Sequence, residues 1–141
     1  MAHQFTQQQL EEFKKHNFSF YNCNPAEVVT DDCVIRAIST GEEVSWEQTL
    51  REMTEYAIKY GFMMHTANLY SIYLKDKGWI KHDQLFTKSG KEIKVRDLAK
   101  KIKGKVIVDV GGFHISYIKD GLTMDIWDCT EFPAREYWTK D

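Results

Sequence analysis

The sequence predicts an α+β fold, with helices in the N-terminal part packed on an antiparallel sheet near the C-terminus. Three observations carry that expectation. Apolar residues recur at helical spacing as far as Ile102. A Val106-Ile107-Val108 run then breaks that spacing and reads as strand. Alternating segments on either side of Asp120-Gly121 give a hairpin signal. At 141 residues the chain has the length of one domain, so 1–141 is read as a single compact unit.

The first helix begins after Thr6, which can cap it with Gln9 as reciprocal partner. Leu10 and Phe13 share a face, and His16 marks its end. Residues 17–31, with Asn17, Asn22, Asn24 and Pro25, read as irregular. A second helix is expected to start at or beside Cys33, behind the caps Asp31 and Asp32. The β-branched Val34 and Ile35 favour a strand locally, but the double aspartate favours the helix. Ser45 and Gln48 form a capping box for a third helix, with Trp46, Leu50, Met53, Ala57 and Tyr60 on one stripe. Gly61 stops it. A short helix from about Ala67 to Leu74 precedes Gly78-Trp79, and residues 80–92 carry no clear period. Val95, Leu98, Ala99 and Ile102 mark the last helix, closed by Gly104. Lys105 to Val110 is a strand, Gly111-Gly112 breaks it, and Phe113 to Ile118 with Leu122 to Trp127 form the hairpin. The rings of Tyr137 and Trp138 are expected to pack on the domain. With Trp79 they are also the aromatic candidates for an interface.

With 19 Lys+Arg against 21 Asp+Glu, the net charge is -2, which argues against a phosphate-tracking nucleic-acid binder. No apolar run approaches the ~20 residues of a membrane span. The polar start lacks the apolar stretch of a signal peptide, so a cytoplasmic location is expected. Three cysteines, Cys23, Cys33 and Cys129, without CxxC spacing, suggest neither a disulfide framework nor a structural zinc site. No dinucleotide or phosphate loop is present, and no cofactor is expected.

The chemistry-bearing residues are one cysteine, one histidine and one acid. Cys33 at a helix start would meet backbone N–H groups that favour a thiolate, against the like charge of Asp31 and Asp32. His114, just after Gly111-Gly112, is the candidate imidazole partner. With Asp120-Gly121 as a two-residue turn, Lys119 faces Leu122. Phe113, Ile115, Tyr117, Met124 and Ile126 then share an apolar face, and His114, Ser116, Thr123, Asp125 and Trp127 share the other. That register brings Asp125 to His114. A one-residue slip or a bulge would bring Asp128 instead. Zinc held by Cys33, His114 and Asp125 is a further arrangement, but it lacks an evident fourth ligand.

Thr30-Asp31-Asp32-Cys33-Val34-Ile35-Arg36-Ala37-Ile38 resembles the cysteine-bearing helix start of papain-like cysteine peptidases, and more closely that of small bacterial and phage proteins with a compact version of that fold. Gly112-Phe113-His114 and Asp125-Ile126-Trp127-Asp128-Cys129 resemble the family's histidine strand and its following acid or Asn strand, with Trp127 as the ring that shields the acid–histidine bond. The resemblance implies a papain-like fold and a thiol hydrolase or peptidase. Cys33 would be the nucleophile, His114 the base and Asp125 the orienting group, acting on a peptide or protein. The family's oxyanion Gln would fall at Glu27. Asn24 or Asn22 is the expected replacement, with the Cys33 N–H as second donor. The resemblance equally accommodates an inactive scaffold that binds a host or bacterial protein, in the host cytoplasm if the chain is phage-encoded.

Overall fold

Local signals set the helix boundaries in the computed structural model, which describes residues 4–141. His3, a minor histidine of the sequence, lies outside the described residues. Helix α1 spans Gln7–Lys15. Its capping box closes in both directions, with Gln9 N donating to Thr6 Oγ1 at 3.1 Å and Thr6 N to Gln9 Oε1 at 2.8 Å. Helix α2 spans Cys33–Glu42 and α3 spans Trp46–Tyr60. Ser45 caps α3 through Gln48 N, and Gly61 ends it at φ 78, a left-handed conformation glycine adopts without strain. Helices α4 (Ala67–Asp76) and α5 (Val95–Lys101) complete the set.

The described residues form an α+β fold of five helices and one six-stranded sheet. Its strands are β1 (Phe18–Phe20), β2 (Ile80–His82), β3 (Lys105–Val110), β4 (His114–Lys119), β5 (Leu122–Asp125) and β6 (Ala134–Lys140). Their order across the sheet is β1-β5-β4-β3-β6-β2. The expectation of a purely antiparallel, C-terminal sheet is corrected here. β1 runs parallel to β5, so the sheet is mixed, and two strands come from earlier in the chain. Both lie in stretches read as irregular or without a period. Three-residue strands carry too little pattern of their own, and distant partners decide their state.

Alternation along the strands separates two apolar layers. Ile107, Ile115, Tyr117 and Trp138 face α2, α3 and α4 through Ile38, Met53, Leu69 and Tyr73. Val106, Val108, Ile118 and Tyr137 pack with Val95, Leu98 and Ala99 of α5 on the other side. Trp79, Tyr137 and Trp138 are all buried, so these rings build the core and are not available as interface anchors. No helix among the described residues is long and apolar enough to cross a membrane.

The hairpin has the expected two-residue turn. Asp120 and Gly121 both have positive φ, 48 and 86, and Lys119 stands opposite Leu122, Ile118 opposite Thr123 and Tyr117 opposite Met124. The second strand is shorter than expected, ending at Asp125. Phe113 departs from the apolar face assigned to it. It sits on the turn before β4 and is 66% exposed.

Candidate active site

Asp32 is the N-cap residue of α2, but its side chain makes no capping bond. Its carboxylate is drawn elsewhere. Oδ1 accepts from Arg36 Nε at 2.7 Å, and Oδ2 accepts from Trp46 Nε1 at 2.9 Å and Asn24 Nδ2 at 3.1 Å. The first-turn amides of α2 therefore have no side-chain cap, and Cys33 stands at that uncapped end. Helix α2 packs on β4, which begins with His114.

The register of β4 and β5 brings Asp125 to His114. His114 Nε2 lies 2.6 Å from Asp125 Oδ2. The same oxygen accepts from Ser116 Oγ at 2.6 Å. Asp125 Oδ1 accepts from Arg36 Nη1 and from the Ile126 amide, each at 2.7 Å. Asp125 is 2% exposed and Arg36 6%, so this is a buried charge network. Such a network is sustained only when every charge has partners. With Nε2 committed to Asp125, Nδ1 is the ring nitrogen left free, and His114 and Cys33 line the same cleft and shift each other's titration. Trp127 packs edge-on against the imidazole, with centroids 5.1 Å apart.

These contacts set the protonation states. Burial alone would raise the Cys33 thiol. The hydrogen bond with His114, the Ile115 backbone N–H and the charges of His114 and Arg36 outweigh it and bring the thiol below its ordinary value. Burial alone would lower His114. The hydrogen bonds and charges of Asp125 and Cys33 prevail and raise it to about 9. Burial pushes Asp125 up, but His114, Ser116 and Arg36 hold its carboxyl below the usual range. All three directions favour a thiolate–imidazolium pair oriented by a carboxylate at neutral pH.

The other sequence candidates lie elsewhere. Asn24 is buried, and its amide is spent on Asp32 and on the Ala26 N–H, 2.9 Å from its Oδ1. Glu27 is exposed at φ 56, outside the cleft described below. Asp128 accepts from Thr130 and pairs with His16 Nδ1 at 2.6 Å instead of with His114. His82 stacks on Tyr137 and bonds Thr139.

A potential metal set differs from the one expected, with Cys129 in place of Cys33. Ligand atoms of His114, Asp125 and Cys129 lie within 4.8 Å of one another. Both Asp125 oxygens already accept several donors. Burial, then the Asp125 charge, pushes the Cys129 thiol up to about 12, so it stays protonated and faces Asp125 Oδ2 at 3.9 Å as a weak donor. These groups suit a hydrogen-bonded cluster better than a metal cage, which needs a thiolate.

Cys33 and His114 both line a cleft of about 870 Å³ between the start of α2, the loop leading into α4 and the turn before β4. Sequence reasoning assigned no role to Arg36, Ser116 or Trp46. Arg36 was detectable as the single charge inside the apolar run Val34 to Ile38, which implies a buried partner. Ser116 shares strand parity with His114. Trp46 read as core, and only the fold reveals its Asp32 contact. The chain matches no family model, no curated protein and no solved structure.

Proposed function

We propose that the protein is a thiol hydrolase of papain-like type, working by acyl transfer from Cys33 with His114 and Asp125 on an amide or related carbonyl of a peptide or protein. One observation carries this reading. A buried aspartate closes to 2.6 Å on an imidazole that lines one cleft with a cysteine at an uncapped helix start. The Cys33 thiolate attacks the carbonyl carbon, and the carbonyl π electrons move to oxygen. The α2 first-turn amides, Cys33 N–H among them, receive that oxyanion. His114 gives its proton to the leaving group as the tetrahedral species collapses to a thioester. It then takes a proton from water, which attacks the thioester and releases the acid. Asp125 holds the ring tautomer throughout.

The test uses p-nitrophenyl acetate and mass spectrometry. Release of p-nitrophenol with a transient acetyl group on Cys33, lost in Cys33→Ala, is the expected result. Cys33→Ala should retain the native circular dichroism. Unchanged turnover in that variant overturns the assignment.

A second reading, a catalytically silent scaffold that binds a host or bacterial protein, draws on Asn24. Its amide is bound to Asp32 and offers no side-chain donor to an oxyanion. A partner complex that survives Cys33→Ala, together with no acetyl-enzyme in the wild type, would favour it.

A further inference from the structure

The walls of the Cys33 cleft differ in charge from its reacting pair. Thiolate and imidazolium together are neutral. Arg36 is the only arginine in the lining and is tied to Asp32 and Asp125. Among the described residues no lysine lines the cleft, and His65 is its second histidine. Two carboxylates do, Asp31 and Asp109, and Asp31 is exposed and makes no ion pair among the described residues.

Asp109 is half-buried near the end of β3. Its Oδ1 accepts the Gly112 N–H at 3.0 Å. Arg135 reaches the same turn from β6, close over Gly112, but shares its guanidinium with Glu92 at 3.7 Å. Burial, and after it the charge of Glu136, hold the Asp109 carboxyl above its ordinary value against the Gly112 N–H, Arg135 and His114, which match its charge only in part.

An independent feature lies in the same lining. Tyr70 is 6% exposed, and its ring packs edge-on against Trp138 at 5.6 Å. Its hydroxyl has no hydrogen-bond partner among the described residues and is not among the sealed, unsatisfied polar atoms; Tyr70 lines the cleft, and the charges of Asp109 and Cys33 act on its hydroxyl. A tyrosine this buried normally finds a partner for its hydroxyl. Phe113, 66% exposed and 6.0 Å from Trp127, adds an aromatic rim.

We propose that this cleft is a cation subsite, taking an alkylammonium or guanidinium group of the molecule whose carbonyl Cys33 attacks, with Asp109 supplying the charge, Tyr70 a hydroxyl acceptor and Phe113 a π face. This rests on Cys33 as the reacting atom and adds the substrate class: a peptide or protein with a lysine or arginine side chain near the scissile carbonyl.

The test keeps the two claims apart. Methanethiosulfonates transfer their thioalkyl group to a thiolate, forming a disulfide as methanesulfinate leaves with the bonding pair. The uncharged methyl reagent reports activation of Cys33. The ratio of the trimethylammonium-ethyl to the sulfonatoethyl reagent reports the charge of the cleft. Rates are followed on the Cys33 peptide in a Cys23→Ser background, since Cys129 is fully buried. The wild-type ratio should exceed that of 2-mercaptoethanol by about tenfold, and Asp109→Asn should lower it about threefold or more. Asparagine can still accept the Gly112 N–H. Tyr70→Phe keeps the ring and should reduce the preference for a primary ammonium reagent over the trimethylammonium one. A wild-type ratio no greater than that of 2-mercaptoethanol, or one unmoved by Asp109→Asn, overturns the cation subsite. A slow reaction with the methyl reagent instead overturns the activated thiol and leaves the charge ratio readable.

Discussion

His114–Asp125 and His16–Asp128 are both closed to 2.6 Å, but their surroundings differ. The His114 and Asp125 side chains are 12% and 1% exposed, those of His16 and Asp128 24% and 18%. Asp125 also receives Arg36, Ser116 and a backbone amide, and the Cys33 thiol acts on the titration of His114. Asp128 receives Thr130, and the far nitrogen of His16 faces Glu12 at 3.6 Å. One pair joins the end of α1 to the segment after β5. The histidine of the other lines a cleft with Cys33. Distance alone does not distinguish a structural clasp from a catalytic dyad. On the proposed function, burial and the group nearest the second ring nitrogen do.

The sharpest way to break this contrast is to remove the charge beneath the buried pair. Arg36→Met leaves the buried Asp32 without a cation and Asp125 with His114 alone, and should cost about 3–5 kcal/mol in urea unfolding. His114→Ala should keep the fold but slow Cys33 alkylation at pH 6 by at least about tenfold, because each unit of thiol pKa regained removes tenfold of thiolate. Ser116→Ala removes one neutral donor to Asp125 and should cost about 1 kcal/mol. The partly exposed clasp should matter least, with Asp128→Asn costing under about 1 kcal/mol and leaving Cys33 alkylation unchanged. Loss of alkylation in that variant would erase the distinction between the pairs.

The pH dependence of stability sharpens it further. His114 is raised from 6.5 to about 9 on folding, so its contribution is full below pH 6.5 and is lost as pH rises through about 9. Cys33, lowered on folding, has the opposite sign and offsets that loss up to the ordinary thiol value of about 8.5, so the urea midpoint should fall between about pH 8.5 and 10, and His114→Gln should flatten that fall. A midpoint independent of pH over this range in the wild type would contradict the raised imidazole.

How much of this was legible depended on how local each signal is. Caps at Thr6 and Ser45, the stop at Gly61 and the Asp120-Gly121 turn act within a few residues, and the structure places them as expected. Hairpin register followed from alternation and carried Asp125 to His114. β1 and β2 were not legible, because three-residue strands take their state from partners tens of residues away, and β6 was read only as rings packed on the domain. Asp32 was read correctly as the residue before a helix but not as a side chain turned from it. That outcome required Arg36, Asn24 and Trp46 to converge from three segments. Asn24 was drawn from the cleft by the same carboxylate.

The central claim is that Cys33 and His114 share a proton as an ion pair held by Asp125. The most direct measurement is the ultraviolet thiolate absorbance of wild type minus Cys33→Ser, followed against pH and repeated with His114→Ala. The expected result is a Cys33 thiolate that forms below the ordinary thiol value and moves up in pH without His114. A thiolate that forms only near the ordinary thiol value of about 8.5, with or without His114, would contradict the account.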